Sequence, residues 1–370
     1  MSKQILITGG AGFLGSHLAD ALLRCDYRVR ALDSLSEQVH PDGKRPSYLD
    51  SQVELQVGDV CDGEAVRRAL QGVDAVFHLA AMVGVGQSMY QIARYTQVNN
   101  MGTATLLEAL IEKPVERLVV ASSMSVYGEG LLQSQDGRVV SGVERTLEQL
   151  KARRWEVESE DGEVLVPFAT PESKPPALAS VYALSKLDQE RLCLMIGRAY
   201  GIETVALRFF NIYGTRQALS NPYTGVLAIF ASRFMNLQPP LVNEDGLQQR
   251  DFVSVHDVAQ ACRLALEVPD AAGRVFNIGS GQAYSVRDIG ERMARVLNSD
   301  VEPQITGKYR VGDIRHCYAD ISLARQVLGY EPRTTLEDGL SELASWLEGQ
   351  AATDHVAHAG AELSKRGLTV

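Results

Sequence analysis

Tyr182 and Lys186 stand four residues apart in Ser180-Val-Tyr-Ala-Leu-Ser-Lys186, a spacing that sets both side chains on one face of a helix. An ammonium beside a phenol favours the phenolate, and a phenolate is a base. The ordinary tyrosine pKa is about 10 and each pH unit is equivalent to about 1.4 kcal/mol, so bringing Tyr182 near neutrality takes roughly 4 kcal/mol. Close positive charge in a site shielded from water can supply that much. Alone, such a pair is a common coincidence. Ser123 and the stretch Thr8-Gly-Gly-Ala-Gly-Phe-Leu-Gly15 give it weight.

The glycines imply what the base works with. Gln4-Ile-Leu-Ile7 reads as a short buried strand and Phe13 to Leu23 carries helical apolar spacing, with Gly9, Gly12 and Gly15 at the junction. A strand, a glycine turn and a helix form the first unit of a dinucleotide-binding fold. The glycines let the backbone approach a pyrophosphate at the positive end of the helix. Asp33 ends the second strand, Arg28-Val-Arg-Ala-Leu32, at 18 residues beyond Gly15, where an acid can bind both ribose hydroxyls of the adenosine. A carboxylate there repels a 2′-phosphate, so the cofactor is expected to be NAD, not NADP.

Further strands must place these residues. Val53–Gln56 leads to Asp59-Val60, Ala75–His78 to Leu79-Ala80-Ala81, and Arg117–Ala121 to Ser122-Ser123. Thr204–Phe209 and Val275–Ile278 complete a set of seven. Strand–helix alternation implies an α/β chain with a Rossmann-type doubly wound parallel sheet, covered on both faces, with ligands at the carboxyl ends of the strands. Asp33, Asp59, His78, Ser123 and Asn211 fall just at or past those ends; His78 reads as a packed or backbone-bonded residue near the cofactor.

Composition narrows the partners. A chain of 370 residues with 45% hydrophobic content can bury a large core, and a net charge of −10 argues against nucleic acid. Cys25, Cys61, Cys193, Cys262 and Cys317 are scattered, with no CxxC pair, which predicts reduced thiols, no metal site and a cytoplasmic protein. No signal peptide precedes the first strand and no apolar run reaches membrane-spanning length, so no membrane partner is expected.

Taken in order, Thr-Gly-Gly-x-Gly-x-x-Gly, Asp59-Val60, His78-Leu-Ala-Ala81, Asn99-x-x-Gly102-Thr103, Ser122-Ser123-Met-Ser-Val-Tyr127-Gly128, Tyr182-x-x-x-Lys186, Arg208-Phe-Phe-Asn211-x-Tyr-Gly214 and Arg250-Asp251-Phe252 resemble an extended short-chain dehydrogenase/reductase of the nucleotide-sugar epimerase/dehydratase group. The resemblance covers residues 1 to about 345. It implies that Ser123, Tyr182 and Lys186 are catalytic. Tyr182 would take the proton of a sugar 4-hydroxyl while C4 gives a hydride to NAD, Lys186 would depress the Tyr182 pKa and bond the nicotinamide ribose, and Ser123 would hold the sugar oxygen. It assigns cofactor contacts to Gly9, Gly12, Phe13, Leu14, Asp33, Asp59, Val60, Leu79, Ala80, Ala81, Asn99 and Phe209, besides Tyr182 and Lys186. A nucleotide-diphosphate sugar would be held by Ser123, Asn211, Arg250, Arg310 and Asp313, and Cys317 falls where hexose epimerases limit bulk on the sugar.

The two residues after Ser123 narrow the reaction. Related 4,6-dehydratases carry an Asp-Glu pair there and related decarboxylases a Glu at the second position; here stand Met124 and Ser125. Epimerisation at C4 needs neither acid. Ser180–Lys186, Asn221-Pro-Tyr-Thr-Gly-Val-Leu227 and Gly312-Asp-Ile-Arg-His316 resemble the branch acting on dTDP-L-rhamnose; a UDP-galactose-type epimerase and a 4-ketoreductase stay open.

The expected organisation is an NAD-binding domain over 1–210, a substrate-binding lobe mainly over 211–348 with strand 275–278 returning to the sheet, and a tail over 349–370 that forms a short helix or is disordered. The 55 residues from Tyr127 to Tyr182 exceed what the group usually has. The extra stretch, about 130–175, holds a charged helical run, Glu144 to Arg154, and a hairpin turning at Asp161-Gly162. It is expected to be a surface insertion or, since it lies between two catalytic residues, a lid over the sugar. The resemblance also implies a homodimer built through two helices of each chain.

Overall fold

The computed structural model describes residues 2–369. Its centre is one sheet of seven parallel strands: β1 (Gln4–Thr8), β2 (Arg28–Asp33), β3 (Glu54–Val57), β4 (Ala75–His78), β5 (Arg117–Ser123), β6 (Glu203–Phe209) and β7 (Val275–Ile278). Their order across the sheet is β7-β6-β5-β4-β1-β2-β3. The chain thus winds outward one way from β1 and then reverses. The reversal opens a crevice at the carboxyl edge, where β1 and β4 lie side by side.

Alternation along the strands sorts the core into two layers. Ile5, Ile7, Phe77, Val119, Val205 and Phe276 face one side, under α1 (Phe13–Leu23) and the later helices Val255–Glu267 and Ser322–Leu328. Leu6, Val76, Leu118, Val120 and Ala206 face the other, under Gly63–Ala69, Gly102–Glu112 and Val181–Tyr200. Each large apolar side chain among them, fully buried, contributes about 1.5–3 kcal/mol of transfer free energy. Not all of the chain beyond 210 goes to the second lobe: Val255–Glu267, β7 and Ser322–Leu328 complete the first.

The smaller lobe has its own core, with Phe230, Phe234, Phe252, Ile289, Met293, Leu340 and Leu343, mostly from Val226–Met235, Val286–Val296 and Leu336–Leu347. Asp251 joins the two. It is fully buried; Oδ1 accepts from the amide and hydroxyl of Ser280, both at 2.7 Å, and Oδ2 from the amides of Gly281 at 2.9 Å and Ala319 at 3.3 Å. Burial pushes its carboxyl up to about 6, against the pull of those bonds.

The insertion folds as a three-stranded antiparallel patch, with Leu131–Gln133 between Val139–Val140 and Val166–Phe168. The charged run is helical only over Leu147–Lys151. The hairpin is present as a single Glu158–Val164 bridge, with Gly162 at φ +80° in its turn. In the tail, Val356–Lys365 is a helix.

Candidate active site

Thr8 ends β1 and its hydroxyl is shared between His78 Nδ1 at 2.8 Å and the amide of Ala80 at 3.2 Å, which draws the ends of β1 and β4 together. The glycine turn can follow only without side chains. Gly9 has φ +71°, and a Cβ on it would lie 2.9 Å from the Ala80 nitrogen; a Cβ on Gly15 would lie 2.3 Å from the Gly9 carbonyl oxygen. Gly12 caps α1 with no side-chain hydrogen bond and no acid in the first turn. The leading amides of the helix are therefore left for an anion, as a pyrophosphate needs. Asp33 Oδ2 accepts from the amide of Ala11 at 3.0 Å and Oδ1 from that of Leu35 at 2.9 Å, fixing the carboxylate beside the turn. This cradle fits a dinucleotide.

The triad lies further along the same edge. Ser123, the last residue of β5, caps the following turn and accepts from the Ser125 amide at 3.2 Å. Helix Val181–Tyr200 begins under a proper cap, Ser180 Oγ accepting from Ala183 at 3.1 Å, and ends at Gly201 with φ +70°. This places Tyr182 in the first turn, where its amide donates to Ser88 Oγ at 3.0 Å and its ring meets that of Tyr95 edge-on. Lys186 is almost fully buried and donates to Gln189 Oε1 at 2.8 Å; Gln189 Nε2 in turn donates to Thr103 Oγ1 at 2.8 Å.

In the structure the Lys186 ammonium is bonded to Gln189 and not to the Tyr182 hydroxyl. Burial holds the Tyr182 hydroxyl above its ordinary pKa, and the influence that draws it downward is a hydrogen bond with Ser123, not the charge of Lys186. Burial also draws Lys186 down to about 8, and its ammonium is turned to Gln189. His78 is likewise pulled down by burial and by Lys186, to about 3, so it is a neutral ring between Thr8 and Thr103.

A single cavity of about 1130 Å³ runs from the glycine turn past the triad into the second lobe. Every residue put forward from the sequence as a cofactor, catalytic or substrate contact lines it, except Asn99. Asn99 is buried behind the wall, its amide group bonded to both the amide and carbonyl of Met82 and to Ser185 Oγ. It shapes the 79–82 loop and is no direct contact. Cys317 is also buried away from the cavity, near Thr170. No residue of the insertion lines the cavity, so the insertion is not a lid.

In the second lobe the groups are cationic and partly unspent. Arg250 donates to the carbonyls of Gln249, Arg315 and Ile314 at 2.6 to 2.9 Å. It has no carboxylate partner among the described residues. Arg310 pairs with Asp313 at 2.8 Å, leaving its Nε buried without a partner. Asn211 Oδ1 and Gln217 Oε1 are buried and unbonded too. Two guanidiniums with spare capacity suit a diphosphate. Sequence reasoning did not single out Gln217, Tyr223 or the inner face of Val356–Lys365 as cavity wall; Tyr223 lay within the Asn221–Leu227 stretch that carried the resemblance, while the other two carry no motif.

The edge geometry and the glycine turn agree with what the chain is similar to. A family model described as "NAD dependent epimerase/dehydratase family" matches residues 5–148 and 160–279. A dTDP-L-rhamnose 4-epimerase of Burkholderia thailandensis is 37% identical over 352 residues, covering 93% of this chain and 95% of the relative. The UDP-glucose 4-epimerase of Thermotoga maritima, solved with UDP-glucose, superposes with a TM-score of 0.76 at 30% identity, over 93% of this chain and 98% of that one. The UDP-glucose 4-epimerase of Thermus thermophilus, solved with NAD, gives 0.75 at 29%, over 94% and 100%. With the family model and the Burkholderia relative both spanning most of its length, the chain belongs to the NAD-dependent epimerase/dehydratase family.

Proposed function

We propose that this NAD-dependent nucleotide-sugar 4-epimerase acts on dTDP-L-rhamnose and inverts C4 to give dTDP-6-deoxy-L-talose. The observation that carries the reading is the 37% identity, over nearly the whole of both chains, to the dTDP-L-rhamnose 4-epimerase of Burkholderia thailandensis. The cavity wall supports it: Met124 follows Ser123, Ala179 precedes the Ser180 cap, and Val85 stands on the turn that bonds the Tyr182 amide through Ser88. That wall suits the C6 methyl of a deoxy sugar better than a hydroxymethyl or carboxylate.

In this reading Tyr182 takes the 4-hydroxyl proton and Ser123 holds the same oxygen. NAD held by the glycine turn and Asp33 would supply a reversible hydride acceptor for C4 and, in its oxidised form, a positive charge. Lys186 holds charge beside the reacting groups and contacts the cofactor. Arg250, Arg310 and Asn211 hold the nucleotide diphosphate while the sugar turns over. The 124–125 pair, Met and Ser, offers no acid for dehydration or decarboxylation.

The test is incubation of the purified protein with dTDP-, UDP- and GDP-sugars, followed by NMR. Growth of the C4 epimer of dTDP-L-rhamnose without added NAD supports the assignment. Turnover confined to UDP-galactose or its N-acetyl form transfers it to the UDP-sugar class of the structural neighbours. Stoichiometric loss of added NADH or NADPH replaces epimerisation by ketone reduction.

A further inference from the structure

The last segment of the chain reaches the cavity without a role in the reaction as described. Asp354 pairs with Arg233 at 2.7 Å and the Thr353 amide donates to Ser220 Oγ at 3.0 Å, which pins the approach. The helix Val356–Lys365 follows, with Ala359 and Leu363 buried. A Cβ on Gly86 would lie 3.3 Å from Leu363 Cδ2 and 3.6 Å from Arg310 Cδ, so these three residues meet at one place. Beyond the helix, Leu368 accepts from the Val311 amide at 2.9 Å and Thr369 bridges to Arg310. Arg366 lies 4.4 Å from the centre of the Tyr90 ring. The segment therefore touches the 84–90 wall, which bonds the Tyr182 amide through Ser88, and the Arg310–Asp313 clamp.

We propose that residues 356–369 form the outer wall of the nucleotide-sugar site, a strap in which Leu363 keeps the oxidised sugar from leaving between the two hydride transfers. The inference rests on the epimerase reading above. On oxidation, the C4–H and O–H bonds break, the hydride goes to NAD and the proton to Tyr182. The 4-keto sugar is then held at its reacting end by hydrogen bonds from Ser123 and protonated Tyr182 and by packing, and must still turn over in the cavity. If it escapes, one NADH is stranded for each ketone released, and turnover of that molecule stops. Asp251 ties the first lobe to the second, and residues within 356–364, with Thr369, line the cavity beside Gly86 and Arg310.

A chain ending at His355 keeps the Asp354–Arg233 pair and loses only the strap; Leu363→Ala is the milder variant should the shortened chain fold poorly. Both, incubated with dTDP-L-rhamnose, should build up the near-ultraviolet absorbance of reduced nicotinamide toward one equivalent per bound cofactor, while the full chain shows none. KM for the sugar should rise about tenfold, as it does when a closing element is lost. In the full chain, amide hydrogen exchange over 356–365 should slow when dTDP, dTDP-L-rhamnose or UDP-glucose binds. Unchanged KM with no reduced nicotinamide in both variants overturns the proposal. If the full chain interconverts no sugar, the epimerase reading fails by itself, and exchange still decides the strap: a nucleotide that binds saturably without slowing exchange over 356–365 overturns it.

Discussion

At the scale of residues, Tyr182 is pulled two ways: burial keeps its proton on and Ser123 eases it off. The protein alone does not make it a phenolate at neutral pH, so base strength should depend on the loaded site. Tyr182→Phe removes one oxygen and should lower turnover at least about 10²-fold, with folding and NAD content unchanged; retention of more than about a tenth of the rate would mean another group is the base. Lys186→Met should lower both rate and NAD retention, read from activity and from cofactor released on denaturation. Asp33 should favour NAD over NADP by at least about tenfold, because a 2′-phosphate meets its charge and breaks its ribose bonds. Reconstitution with each cofactor measures this, and equal occupancy would remove Asp33 from the role. Asp33 and Ser123 were legible because they end strands, and Tyr182 and Lys186 because four residues separate them on one helix. Asn99 was not, since sequence gives its polarity but not whether its amide faces the cavity or the Met82 backbone.

At the scale of elements, the insertion serves as a buttress behind the Arg310–Asp313 pair proposed to hold the diphosphate. Its Arg145, almost fully buried, bonds Glu244 at 2.8 Å and Glu129 at 3.3 Å, and donates to the Asp313 carbonyl at 3.3 Å. Arg315, fully buried, is shared among Glu156, Glu244 and Asp245. Arg145→Ala takes one partner each from Glu129 and Glu244, which keep the Arg315 and His316 amides and the Arg315 guanidinium, and should cost about 1–3 kcal/mol of stability, read by urea denaturation. Burial works against ionisation of Glu156, but bonds from His316 and Arg315 outweigh it and hold the carboxyl at about 2. Its folded pKa lies below the ordinary 4.5, so its contribution is complete above pH 4.5 and is lost as pH falls from there toward 2. Glu156→Gln should flatten that limb of an acid-denaturation profile; an unchanged limb would show that Glu156 does not carry it. The seven strands were readable to within one or two residues because buried parallel strands are short apolar runs between helices. The Glu144–Arg154 run is less helical than its spacing suggests: Arg145 is drawn out of the helix into the ionic cluster and Arg153 takes a positive φ that ends it.

At the scale of the whole molecule, exposed apolar side chains collect on neighbouring helices. Leu184 and Met195 are on Val181–Tyr200, while Ile92 and Met101 lie on the segments packed beside it. Exposed side chains of this size mark an interface when they adjoin. Sedimentation should find a dimer, and Leu184→Glu with Met195→Glu should shift it to monomer; a monomeric parent chain would refute the pairing. The parallel sheet and the placement of ligands at the carboxyl ends of its strands were legible in the motifs, while the order of the strands came from the structure. The wall supplied by the C-terminal helix was not, because small residues such as Ala359 and Gly360 acquire a role only from what they pack against.

The Asp251 tie also bears on which sugars can complete a cycle. Parting the lobes would strip four hydrogen bonds from a buried carboxyl group, which opposes any widening of the cavity between them. In the proposed reaction the ring must turn over inside the width this leaves. The cavity is therefore a sieve for a movement as much as for a shape. A sugar that fits in one orientation but jams in the other would be oxidised and never restored, titrating the enzyme once and then silencing it.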